Sequence, residues 1–255
     1  MPNLPFHIAT AHKIADVLGD KYVQKDMIGY CLFGSTVPDI RAMTKNSRAQ
    51  THFTELTVTD IGTGAKNMFD SYPELIMESN DAPMKAFMCG YISHLICDET
   101  WITRMYRPHF SQEHRSCTEI ESNLWDRALQ LELDRDSLSV IEQNGLLEPF
   151  PMDLNGIELA FVSENELCDW QEWVMKLSGR GFSWDRLYNA MNRMHRDDSS
   201  VSTMVDDFII DIESNLDIIH DYLETDILFA ASSTLRHGIS RYLSICHLLF
   251  ARWSH

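Results

Sequence analysis

No stretch of the sequence approaches the roughly 18–20 uninterrupted apolar residues that a membrane span requires. Nor does it open on a basic start, a long apolar run and a small-residue cleavage site. The opening MPNLPFHIATAHKIAD thus reads as mature protein rather than as an export signal, which predicts a cytoplasmic location. Paired cysteine motifs are missing too: residues 31, 89, 97, 117, 168 and 246 are scattered, with no CxxC. Without export, free thiols are expected rather than a disulfide framework. Positive charge is scarce, with 21 Lys and Arg against 38 Asp and Glu and a net charge of -17. Such a chain repels nucleic acid and anionic bilayers at long range, so it is not expected to carry a broad polyanion-binding face. A small anionic substrate entering a locally basic pocket remains compatible with that charge.

Strand-like alternation is rare, and helical periodicity dominates. Helices are expected near 6–18, 24–33, 60–78, 82–107, 116–135, 137–144, 157–178, 183–195, 200–222 and 225–252. Asn80-Asp81 before Ala82-Pro83 suits a cap followed by proline in the first turn. The segment 34–53, GSTVPDIRAMTKNSRAQTHF, is rich in Gly, Ser, Thr and Pro and has no helical stripe. It is expected to be a long ordered loop, and loops of that length in compact domains tend to be functional. A second loop, 145–156, marks a boundary between helical layers. With 44% hydrophobic residues and 23% charged ones, the composition supports a full core. The expected architecture is all-α, a single multi-helix bundle in one domain over 1–255.

Two helices carry polar residues on their apolar faces. His94 and Asp98 are four apart, one turn above the other, on the side that also holds Phe87, Tyr91, Trp101, Ile102 and Met105. Burying an ionised carboxylate there requires compensation. Glu99 points off that stripe and is expected to be solvated. On helix 6–18, His7 shares its face with Ala11, Ile14, Ala15 and Leu18, whereas His12 lies away from it. The loop adds Asp39, held by the preceding proline, and His52, followed by the apolar anchor Phe53. Each residue alone has a structural explanation: a buried His–Asp hydrogen bond, a core histidine, a turn aspartate. Together, His7, Asp39, His52, His94 and Asp98 form a donor set suited to zinc, and also to iron or manganese. The absence of cysteine from the set points to a catalytic site rather than a structural one.

The succession of His7, GSTVPDI with Asp39, THF with His52 and GYISHLICDETW with His94 and Asp98 resembles the zinc-dependent phospholipase C family. The wider fold group of that family includes the fungal-type single-strand nucleases. The resemblance covers about residues 1–110. It implies Asp39, His52, His94 and Asp98 around one metal and His7 at a second, with Asp98 bridging, so one or two zinc ions. It also implies that Asp39 orients or deprotonates the attacking water. The chain departs from the family pattern in three places. Secreted members use an N-terminal tryptophan where this chain opens Met1-Pro2; Arg104 stands where a further histidine is expected; and His114 is followed at i+4 by Thr118, not by the glutamate of an HxxxE pair. The nearby substitutes for that third metal site are His109, His114, Glu121 and Asp126.

Arg41, Lys45 and Arg48 form a basic run between two of the expected ligands, suited to a phosphate or carboxylate or else simply solvated. Arg104 and Arg107 face the same pocket mouth or complement a helix C-terminus. Asn123, Asp126 and Arg127 stand behind the metal or pair at the surface. His195, His220, His237 and His247 receive no role. The expected function is a metal-dependent hydrolase of a phosphoester, acting through metal-bound hydroxide on a small anionic substrate. Two alternatives are an iron-dependent oxygen-activating enzyme and a non-catalytic, metal-stabilised interaction module.

Overall fold

The computed structural model of the protein describes residues 2–76, 81–111, 117–150, 153–178, 180–196 and 198–223. Within them the architecture is all-α, and the nearest approach to a strand is an isolated bridge between Leu159 and Val162. The expected helix 225–252, with His237, Cys246 and His247, lies outside the described residues, as do His114 and part of the expected loop 145–156. None of the described helices is long and apolar enough to cross a membrane.

The helix α1 (Leu4–Leu18) carries Pro5 in its first turn and buries His7, Ala11, Ile14, Ala15 and Leu18 together. A 3-10 turn leads into α2 (Ile28–Gly34). The segment 34–53 is not the irregular loop that its composition suggested. It folds into a 3-10 turn, Val37–Ile40, and two short helices, α3 (Arg41–Thr44) and α4 (Arg48–His52). Its Pro and Ser residues are helix starters. Pro38 sits in a first turn, and the Ser47 backbone N–H donates to the Gln50 side chain at 2.8 Å, closing a capping box ahead of α4. Both short helices stop on non-glycine residues in the left-handed region, Lys45 at φ 61° and Phe53 at φ 57°.

Then come α5 (Thr63–Ser71), α6 (Ala82–Thr100), α7 (Glu119–Gln143), α8 (Glu164–Ser178), α9 (Asp185–Met194), α10 (Ser200–Ile210) and α11 (Ile212–Tyr222). The Asp81 carboxylate caps α6 as expected, accepting from the Met84 N–H at 3.1 Å. Beyond Thr100 the α6 coil widens into a π-helical stretch, Trp101–Phe110, which meets Pro108 near its end. The helices expected at 116–135 and 137–144 are one, and the helix expected at 200–222 breaks at Asp211. Cys31 and Cys89 are buried, and Cys168 is exposed.

Helix α6 is buried on nearly all sides and packs against α2, α1 and α5. Its contact with α2 is backbone against backbone. A Cβ at Gly90 would lie 1.8 Å from the Cys31 carbonyl oxygen, and one at Gly34 would lie 2.1 Å from that of Phe87. Two apolar clusters result: α1, α2, α5, α6 and α8 share one, while the π-helical stretch and α9 to α11 share the other. Helix α7 contributes to both. It also grips the start of α1, since the buried Asp134 accepts a hydrogen bond from the Asn3 side chain. Burial pushes the Asp134 carboxyl up to about 6.

The Gly90 contact gives a direct test. Gly90→Ala gains helix propensity, about 1 kcal/mol, yet it should destabilise the protein by about 3 kcal/mol or more, because the obstacle is backbone. Chemical denaturation of the two proteins measures the difference, and a neutral or stabilising result would show that α2 and α6 can separate freely.

Candidate metal centre

The site is built from two helical pairs at i, i+4. Helix α6 projects His94 and Asp98 from one face, and α4 projects Arg48 and His52 from one face. All four side chains are buried. Asp98 is the hub. Its Oδ2 lies 3.0 Å from Arg48 Nη2, 3.2 Å from His52 Nε2 and 3.7 Å from His94 Nε2. Its Oδ1 faces His7 Nε2 at 3.5 Å. His7, from α1, stacks on His94 with ring centroids 3.7 Å apart. Asp39, from the 3-10 turn, reaches His52 Nε2 at 3.7 Å.

Two of the three rings are held from behind. The Ser35 carbonyl oxygen lies 2.8 Å from His94 Nδ1, which leaves a bare lone pair on Nε2 when the ring is neutral. The close approach at Gly34 and Gly90 brings that carbonyl into place, since a Cβ on Gly90 would also crowd the Ser35 nitrogen at 2.8 Å. His52 Nδ1 meets the Thr51 hydroxyl at 3.1 Å, and Tyr91 donates to the Thr51 carbonyl at 2.5 Å. Trp170, from α8, donates to the Thr36 hydroxyl at 3.0 Å beside the turn that carries Asp39. Glu99 contradicts the expectation of a solvated residue. It is only 1% exposed and accepts backbone N–H bonds from Gly62 and Gly64 at the start of α5. Gly64 in turn leaves room for the His52 carbonyl, 2.4 Å from where its Cβ would be. Burial pushes the Glu99 carboxyl up to about 7.

The donors fit a divalent ion. Ligand atoms of His52, His94 and Asp98 all lie within 4.8 Å of one another, and so do those of His7, Asp39 and His94. The closest spacings match the roughly 3.3 Å between donors that surround zinc tetrahedrally at about 2.0–2.1 Å. Both ring nitrogens of His7 and Oδ1 of Asp98 are buried without a hydrogen-bond partner. Atoms of that kind are rarely left so unless something else satisfies them. Electrostatics agree. Burial alone would raise the Asp98 carboxyl, but the charge of His94 and the polar ring atoms of the three histidines around it hold it well below the usual carboxylate range. Burial lowers His7, and lowers His52 to about 4. For His94 burial also acts downward, yet the Asp98 charge outweighs it and leaves the ring raised.

A family profile described as zinc dependent phospholipase C matches residues 6–143, more than half of the 255 residues. The chain belongs to this family. No curated protein and no solved structure matches it.

The matched span of the zinc-dependent phospholipase C family contains all five of the expected donors and all three residues of the basic run. Of that run, Arg48 is buried at the centre, Arg41 is half-buried and Lys45 is exposed. Of the substitutes for a third metal, His114 lies outside the described residues, and His109, Glu121 and Asp126 do not assemble. Among the described residues no further group of three His, Cys, Asp or Glu donors lies close enough to hold an ion. Asp126 instead accepts from the Trp101 indole N–H at 2.9 Å and from Gln130 at 2.8 Å. Asn123 meets His195 at 3.1 Å. Arg107 donates to the Val58 carbonyl at 2.6 Å, securing the segment before α5, and Arg104 is exposed.

The His52 shift has a consequence for the metal-free protein. Its folded value, about 4, lies below the ordinary 6.5, so between those values the unfolded chain binds the extra proton. Stability should therefore fall as the pH drops from 6.5 to 4, by up to about 1.4 kcal/mol per unit from this residue. Denaturation of the chelated protein across that range should show a shallower slope in His52→Gln. An unchanged slope would mean that His52 takes up its proton as readily in the folded state as in the unfolded one.

Proposed function

We propose that this protein is a zinc-dependent hydrolase of a phosphoester. The observation that carries the reading is the convergence of His7, Asp39, His52, His94 and Asp98, with buried unpartnered donor atoms, in a chain of this family. A bound zinc ion supplies Lewis-acid polarisation of a phosphoryl oxygen and lowers the pKa of a water to near neutrality. The residues do the rest. His52, His94 and Asp98 would hold the ion, and His7 and Asp39 would add further donors together with His94. Asp39 is the most accessible of the five, its side chain 29% exposed. Its carboxylate is therefore the group to orient an attacking water and accept its proton. Arg41 follows two residues later with a buried Nε that has no partner, a donor available to an anionic substrate. Lys45, exposed, contributes charge at the rim. The ester is that of a phospholipid or of a smaller phosphate compound, in keeping with the family. We read the whole chain as one helical domain, because α7 runs through both apolar clusters.

Elemental analysis of protein purified without added metal, followed by a screen of phosphomonoesters and phosphodiesters, tests the reading. Zinc at one or two equivalents with ester turnover is expected. His94→Ala and Asp98→Ala should each abolish metal binding while most helicity survives, and His12→Ala, half-buried beside Asp16, should retain both metal and activity. Iron in place of zinc would favour the oxygen-activating alternative. Retained metal with no turnover of any ester would favour the interaction module.

A further inference from the structure

Arg48 occupies an unusual position for a guanidinium. It is 7% exposed, at the first residue of α4, in a chain whose charge leaves most cations in solvent. One of its nitrogens, Nη2, donates to Asp98 Oδ2 at 3.0 Å. The nitrogens on either side of it, Nε and Nη1, are buried and have no acceptor. Buried guanidinium N–H groups carry a heavy cost when left unmade. A core that needed only a counter-charge for Asp98 would be served by the single bond. The two idle donors point to a ligand that brings its own oxygens.

We propose that Arg48 is the oxyanion receptor of this site, donating from one of its two idle nitrogens, Nε or Nη1, to a non-bridging oxygen of a phosphate group while Nη2 stays on Asp98. This rests on the hydrolase reading only for the ion that completes the pocket. The chemistry follows from the geometry. Asp98 Oδ2 keeps a second lone pair, so the guanidinium bond leaves the carboxylate able to face an ion. A tetrahedral phosphate presents oxygens in several directions and can meet an ion and an arginine at once, and planar guanidinium groups bind phosphate oxygens strongly. Fixed by its bond to Asp98, Arg48 loses little freedom when the anion arrives. Arg48 is then a binding and positioning residue, and its guanidinium steadies charge that builds on phosphorus-bound oxygen during ester cleavage. A free phosphate ester and a lipid phosphodiester present the same oxygens to it.

The test is a titration followed at the arginine itself. In the ¹H–¹⁵N spectrum of the full chain, the buried Nε–H of Arg48 gives a protected signal, identified by its loss in Arg48→Lys. Inorganic phosphate, and in a parallel arm dimethyl phosphate, is titrated into the zinc-loaded and the metal-free wild type. The Arg48 signal should shift on binding, and the arm with the tighter response separates a monoester from a diester preference. Calorimetry should show phosphate affinity at least about tenfold weaker in Arg48→Met. Arg48→Lys should recover only part, because charge returns without the planar geometry. Zinc affinity in Arg48→Met, measured by chelator competition, should hold or rise, since a neighbouring positive charge is gone. In turnover, both variants should lose more in kcat/KM than in kcat if ground-state binding dominates. Phosphate bound by the wild type without a shift at Arg48, or bound equally by Arg48→Met, would overturn the proposal and leave the hydrolase reading standing. A wild type that takes up no zinc would end the hydrolase reading, while the metal-free titration would still decide for or against Arg48. If Arg48→Met fails to fold, the wild-type titration alone is decisive.

Discussion

The first half of this structure is organised by one buried negative charge. Asp98 sits on the most enclosed helix of the fold, 1% exposed, where an isolated carboxylate would be prohibitively expensive. Three histidines from three segments and one arginine surround it. Each of those groups must be delivered to within about 4 Å, and the arrangement of α1, α2, α4 and α6 follows from that demand. A histidine offers compensation only when protonated, and burial works against protonation at His7 and His52. Arg48 is the nearest of these partners, its Nη2 3.0 Å from Asp98 Oδ2. Its pairing with Asp98 explains how the centre can be assembled by the chain before any ion arrives.

Delivery depends on close approach. Gly34 and Gly90 let α2 and α6 meet at the level of their backbones, which sets the Ser35 carbonyl against His94 and fixes the tautomer that a ligand requires. Gly64 does the same for α5 and the His52 carbonyl. Glu99, adjacent to Asp98 but on a different face, ties down the start of α5 by its backbone N–H groups. A helix N-terminus welcomes a carboxylate, so a second buried acid is accommodated beside the first through backbone dipoles rather than through a counter-ion. Neighbouring acidic residues on one helix are thus neutralised by two different devices, and only one of them leaves donor atoms free for chemistry.

The helical faces were legible in the sequence, and the short-range coupling between segments was not. The spacing of His7 with Ala11, Ile14 and Ala15, and of His94 with Asp98, put these three side chains on the buried faces they occupy, because a 3.6-residue period survives without knowledge of the partner helix. Glu99 was misread for the same reason. A wheel drawn on one helix identifies an apolar stripe, but α6 is covered on nearly all sides, and a residue off the stripe meets another helix instead of water. The segment 34–53 was misread through composition. Its Ser47-Arg48-Ala49-Gln50 is a capping-box sequence, a local signal that would have turned the basic run into a helix start and put Arg48 and His52 on one face. The widening of α6 at Trp101 left no mark in the periodicity, since Trp101, Ile102 and Met105 are buried as an α-helix would also have them.

The departures from the family pattern bear on the same geometry. Arg104 and Thr118 stand where further metal ligands were expected, and their region lies along the π-helical stretch and the approach to α7. There the carboxylate and amide groups satisfy one another, Trp101 with Asp126, Asp126 with Gln130 and Gln130 with Arg127, and the atom of this chain left without a partner, Arg127 Nε, is a donor that cannot bind an ion. A chain of mutually satisfied donors and acceptors has little left to offer an ion. The five-donor centre is the opposite case, because His7 and Asp98 keep buried atoms without partners. Loss of one part of a composite site need not disable the other when the two draw on different helices. His7, Asp39, His52, His94 and Asp98 come from α1, the Val37–Ile40 turn, α4 and α6, none of which relies on residues 104 or 118 to hold its ligand in place. The guanidinium of Arg48 adds a positive group at the same carboxylate, from the same short helix that carries His52.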